Sequence, residues 1–190
     1  MGLDVTKSKE ERIRRMKLQG QAEGYLELGL PQQALQVLGR LDEAAHFHAA
    51  GPAVAGADVR TLSLRGLALR LLERYADAVV PLEQVAELEP DNLQVLLALG
   101  WCHKRTGRID LAIEALERAL EAHREEPLVC YNLACYYSVA GDKRRALPYL
   151  EQALAMDASY RSLIDHEPDF DLLRGDPEFQ AVCDGSPTQD

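Results

Sequence analysis

Sulfur, imidazole and carboxylate are the groups that could give this chain a chemistry, and their spacing points to none. Four cysteines stand at 102, 130, 135 and 183. They form no C-x-x-C pair and have no histidine at zinc-ligand spacing, so they read as reduced, buried small hydrophobes. Of the five histidines, only His46 and His48 are close in sequence, and two residues apart on a helix they point to different sides. No G-x-S-x-G, glycine-rich phosphate loop or H-E-x-x-H occurs. The abundant Asp and Glu fall on outward helix faces and near helix starts, where they favour solubility and the helix dipole. The sequence therefore predicts no catalytic residue, no metal and no cofactor.

The groups left over are suited to contact rather than reaction, and bulk charge narrows what they contact. The formal charge of −10 on 190 residues disfavours nucleic acid or anionic lipid, which need a net cationic face. Residues 1–17 carry six Lys/Arg against three Asp/Glu, a short basic lead before an acidic body. The uncharged stretch at residues 128–141 is well below the roughly 20 residues a spanning helix needs. A protein partner in a reducing, cytoplasmic setting is the expectation, with no membrane span.

The elements that position these groups come from a repeat. Residues 59–92, 93–126 and 127–160 superpose without a gap as blocks of 34, and a block from residue 15 joins the register with an insertion reaching residue 58. Position 8 of the four blocks reads Ala22, Gly66, Gly100 and Ala134, and position 20 reads Ala34, Ala78, Ala112 and Ala146. Position 24 is always leucine: Leu38, Leu82, Leu116 and Leu150. Two helices approach closely only where neither backbone carries a bulky side chain, with leucines filling the space above and below. Each block thus reads as two helices. Gly29, Gly107 and Gly141 supply the left-handed turn residue, Asp110 or Asp142 caps the second helix, and Pro31 opens another. Pro81 and Pro148 fall inside second helices.

The ends depart from the period. Ser8-Lys9-Glu10-Glu11 has the form of a capping box and predicts a first helix starting near Ser8. Residues 42–57 predict an extended helix followed by a Gly/Pro/Ala-rich loop at 51–56. Glu167-Pro168 and Asp176-Pro177 each predict an acidic cap with proline in the first turn, so that Phe170, Leu173, Phe179 and Val182 would cover the last repeat.

This pattern of Leu62, Gly66, Ala78, Leu82 and Pro90, then Leu96, Leu99, Gly100, Ala112, Leu116 and Ala119, then Leu133, Ala134, Tyr137, Ala146, Leu150 and Ala153 resembles the tetratricopeptide repeat (TPR) family. The stretch from Glu167 to Phe179 is similar to the tail that closes some bacterial arrays of this kind. The resemblance implies an all-α, right-handed α-solenoid of antiparallel helix pairs. Its expected parts are a basic lead (1–14), an array (15–160; repeats 15–48, 59–92, 93–126 and 127–160), a helical cap (161–183) and a disordered tail (184–190).

In that family, positions 2, 5, 9, 12 and 13 of each first helix line a concave groove. Here they include Arg60, Leu67 and Arg70, then Gln94, Leu97, Trp101, Lys104 and Arg105, then Leu128, Tyr131 and Cys135, with Asn132 at the margin. This would be an apolar floor with cationic edges, fit for a peptide or helix bearing apolar and acidic groups. The competing reading is that the same residues pack neighbouring repeats together. Chaperone-tail recognition is not implied: the matching positions hold Gln19, Glu23, Arg65, Gln94 and Ala98. The resemblance thus implies an adaptor or scaffold, with a chaperone for a secreted client and a self-assembling subunit as alternatives.

Overall fold

Capping residues and tight turns cut this chain into helices of near-equal length. The computed structural model describes residues 2–46 and 58–185. Asp58 accepts the Thr61 N–H at 2.9 Å and opens α3 (Val59–Leu71). Asn92 does the same for Val95 at 3.1 Å and opens α5 (Leu93–Arg105). Pro127, with no N–H to leave unpaired, opens α7 (Pro127–Val139). The turns after these first helices pass through the left-handed region, at φ 75° for Gly107 and 76° for Gly141, as at Gly29 (φ 70°) after α1 (Gly2–Glu27). The remaining turn does so without glycine, because Glu73 takes φ 57°. Second helices follow: α2 (Pro31–His46), α4 (Tyr75–Leu88), α6 (Ile109–Ala122) and α8 (Lys143–Met156). Joined by such short turns, each pair runs antiparallel.

Two expectations about helix ends need correction. α1 begins at Gly2, so Ser8 lies inside the helix and is not its start. No glycine or proline interrupts the chain between Gly2 and Gly20, and Glu10/Arg14 and Glu11/Arg15 have helix-supporting spacing, so nothing stops the helix at Ser8. Asp142 caps α8 through the Arg145 N–H. Asp110 sits inside the first turn of α6, whose boundary residue Arg108 makes no side-chain cap. α2 runs to His46; the expected loop at 51–56 lies outside the described residues.

The chain divides into two compact units, residues 1–90 and 91–190. In the first, Ala22, Ala34, Val37, Leu38, Leu64 and Ala68 form a core where α1, α2 and α3 meet. Gly66 of α3 lies so close to α4 that a Cβ there would stand 2.6 Å from Cγ and Cδ2 of Leu82. The second unit repeats the device: a Cβ on Gly100 would stand 3.2 Å from Leu116, and fully buried Ala134, Leu150 and Ala153 lie between α7 and α8. Pro81 and Pro148 are accommodated inside α4 and α8.

The cap belongs to the second unit. After α9 (Arg161–Ile164), Glu167 caps a single 3₁₀ turn, Pro168–Phe170, rather than the α-helix expected there. Asp176 caps α10 (Pro177–Asp184) through the N–H groups of Glu178 and Phe179. Phe170, Leu173, Phe179 and Val182 are buried as expected. Lys143 of α8 bridges Asp176 at 2.8 Å and Glu178 at 3.1 Å, while Arg174 reaches the carbonyls of Ile164 and Glu167. Gly185 closes α10 at φ 70°, so helical structure extends through Asp184. The rest of the expected disordered tail, from 186, lies outside the described residues.

Candidate functional site

In the first unit the stripe on α3 is partly spent on the neighbouring repeat. Arg60 forms an ion pair with Glu23 of α1. Gln19, buried on α1, donates to Asp58 at 2.7 and 2.9 Å and to the Thr61 hydroxyl at 2.9 Å. Burial alone would raise the Asp58 carboxyl, but donors from Thr61 and Gln19, with Arg15 at 3.3 Å, hold it below its ordinary value. Polar groups of the first block thus fix first helix against first helix. Leu67 and Arg70 remain half-buried and Leu71 exposed.

In the second unit α5 keeps its stripe open. Gln94 and Arg105 are exposed, Leu97 is half-buried, and Trp101, the chain's one tryptophan, is 39% exposed. The Lys104 ammonium lies 5.5 Å from the Trp101 ring centre and 5.2 Å from that of Tyr136, and it pairs with Asp169 of the cap turn. Its cationic end is therefore already met by a carboxylate of the same chain.

The stripe on α7 differs. Leu128 is exposed and Asn132 half-buried, but Tyr131 is only 4% exposed and Cys135 2%, so neither forms the open floor expected of it. The Tyr160 ring lies 4.8 Å from Tyr131, and Phe170 meets it edge-on at 5.9 Å. The cause is α7's own composition: nine of its residues are buried and none is charged. A helix apolar all round has to be covered on every side, and the cap turn supplies the missing cover. The signal was present in the uncharged run 128–141, which sequence reasoning tested only for membrane length. Burial pushes the Cys135 thiol and the Tyr131 hydroxyl upward in pKa, and the carboxylates of Glu167 and Asp169 add to the shift.

The cap also assembles a donor set that sequence spacing did not suggest. The Cys135 sulfur and one oxygen each from Glu167 and Asp169 lie within 4.8 Å of one another. Elsewhere Cys102 and Cys130 are buried in the core, His103 is buried, and the His123 ring bonds the Asp91 carbonyl at 2.7 Å. His46 is the last residue of α2, and His48 lies outside the described residues. No helix among the described residues is long and apolar enough to cross a membrane.

Antiparallel helix hairpins with small residues at each crossing define a repeat protein of the α-solenoid class. Tetratricopeptide repeat models match residues 69–129 and 129–156, so that stretch of the chain is built of tetratricopeptide repeats. Solved structures share the fold. The portion of MamA from residue 41 onward, from Desulfovibrio magneticus RS-1, superposes with TM-score 0.69 at 19% identity, covering 90% of each chain. MamA AMB-1 gives 0.62 at 27% identity, covering 73% of this chain and 76% of that one. YrrB, described as a TPR protein with an unusual peptide-binding site, gives 0.67 at 17%, covering 78% and 72%. No curated protein matches the sequence. Family and fold support a protein-interaction scaffold in general terms, in a family whose members are typically non-enzymatic.

Proposed function

We propose that the protein binds a peptide or helical segment of another protein on the first-helix face of its second unit, with Gln94, Leu97, Trp101, Lys104, Arg105 and Leu128 as the contact residues. The observation that carries this is Trp101. A large aromatic ring held in the open, beside an ammonium and next to an apolar leucine, has the composition of an interface hot spot, since tryptophan is enriched among the residues that carry binding energy. Leu67, Arg70 and Leu71 give the first unit a smaller patch of similar chemistry, with Arg60 answered by Glu23. Tyr131 and Cys135 stay outside the contact set because the cap covers them.

The test is affinity capture from the native host with wild-type protein and Trp101→Ala, beside circular dichroism and sizing. Capture of a defined partner that falls at least tenfold in the variant, with helicity unchanged, supports the reading. Undiminished capture removes this face from consideration. Concentration-dependent oligomers of the chain alone, with no other protein bound, replace it with self-assembly.

A further inference from the structure

One cluster on the second unit holds more donor groups than its packing and the Lys104 ion pair use. Tyr131 and Cys135 stand one turn apart on α7, and the cap turn lays Glu167 and Asp169 against them. Cys135 is buried, the Asp169 side chain is only 11% exposed, and the three candidate ligand atoms fall within 4.8 Å of one another. A second observation concerns Tyr131. Its hydroxyl is buried and has no hydrogen-bond partner, and the groups acting on it most strongly are Cys135, Glu167, Asp169 and Tyr160. A buried phenol is normally satisfied, and this hydroxyl is left without a partner while it carries the influence of these same groups.

The charge is unbalanced in the same direction. Lys104 meets Asp169 through Oδ2, and the guanidinium of Arg174 is engaged by Asp171 and by the carbonyls of Ile164 and Glu167. Two carboxylates therefore face one ammonium. Asp169 retains Oδ1. Glu167 spends Oε1 on the Asp169 N–H at 3.3 Å and retains Oε2.

We propose that Cys135, Glu167 and Asp169 form a binding site for a borderline divalent cation of the zinc type, with the Tyr131 hydroxyl at its margin, and that the ion fastens the cap turn to α7. One sulfur with two carboxylate oxygens suits such a cation, whereas calcium and magnesium call for all-oxygen shells of six or more. Bond lengths of about 2.0–2.3 Å place tetrahedral ligands roughly 3.3–3.8 Å apart. The donors thus close by about 1 Å on binding, a movement that two side chains on a short turn can make.

The test uses the full, reduced chain titrated with Co²⁺ and, separately, with Zn²⁺ by calorimetry. The expected result is one equivalent bound, with a near-ultraviolet thiolate-to-cobalt charge-transfer band. Affinity should fall at least tenfold in Cys135→Ser and in Glu167→Gln, and should be unchanged in Cys183→Ser, which alters the cysteine nearest solvent. Gln at 167 keeps an acceptor for the Asp169 N–H, so that variant separates ligand loss from loss of the cap. Absence of the charge-transfer band in the wild type, or its persistence in Cys135→Ser, overturns the proposal.

Discussion

Replacing Gly66 with alanine sets two effects of similar size against each other, and the geometry decides between them. Alanine in a helix interior is favoured over glycine by about 1 kcal/mol. Here, however, the added methyl would lie 2.6 Å from both Cγ and Cδ2 of Leu82, about 1 Å inside ordinary carbon contact. Leu82 is 2% exposed and cannot swing into solvent, so the clash falls to overpacking, which costs typically 1–3 kcal/mol. A net loss of about 1 kcal/mol is expected for Gly66→Ala. Gly100→Ala, whose methyl would meet Leu116 at 3.2 Å, needs only a few tenths of an ångström of relief and should fall within about 0.5 kcal/mol of wild type. The double-mutant cycle sharpens the test. Leu82→Ala alone should cost about 2–5 kcal/mol. In that background the three nearest obstacles to the new methyl are gone, so Gly66→Ala should become stabilising, a coupling of about 2 kcal/mol. Urea unfolding by circular dichroism, with hydrogen exchange of α3 and α4 to localise the change, reads both quantities. Gly66→Ala as stable as wild type, or additivity in the cycle, would refute the claim that this close approach holds the hairpin together.

Two further outcomes follow from the turn and the cap of the same repeat. Glu73→Gly should raise stability by about 0.5–1 kcal/mol, the left-handed penalty of a side-chain-bearing residue less the chain entropy glycine adds to the unfolded state; a lower thermal midpoint for the variant would count against it. Asp58→Asn keeps a capping oxygen and removes the charge. Because the folded carboxyl titrates below its ordinary value of 3.8, its contribution is present above that value and is lost as pH falls through the lower folded one. The stability gap between wild type and Asp58→Asn should therefore be widest near neutrality and close below about pH 4, and a gap that widens in acid contradicts the assigned hydrogen bonds.

The fold was legible wherever one local requirement admits few residues. Close helix crossings admit only Ala or Gly, which made positions 8 and 20 readable, and left-handed turns favour Gly29, Gly107 and Gly141. The same rule passes over Glu73, because the neighbouring turn accepts the strain. The start of α1 was not legible, since a helix continues through a capping motif when no residue opposes it. On the candidate face, Gln94, Leu97 and Trp101 follow from helix periodicity; Gln94 and Trp101 are exposed and Leu97 is half-buried. The burial of Tyr131 and Cys135 does not follow, because it depends on a turn more than 30 residues further along the chain.

Helix α7 shows why that miss was physical rather than accidental. Projecting a stripe from one helix presumes a polar face that can be left in water, and α5 has one, ending in Lys104 and Arg105. α7 has no charged residue from Pro127 to Val139, so leaving any long side of it bare would expose aromatic and thiol surface. Its hairpin partner α8 and the preceding α6 cover two sides, and the Pro168–Phe170 turn covers the third. The cap is thus required by the composition of the helix it closes, and its position is what brings Glu167 and Asp169 to Cys135. Of the two first-helix stripes in this unit, the one with a charged margin stays exposed, while the one without is committed to the chain's own tail.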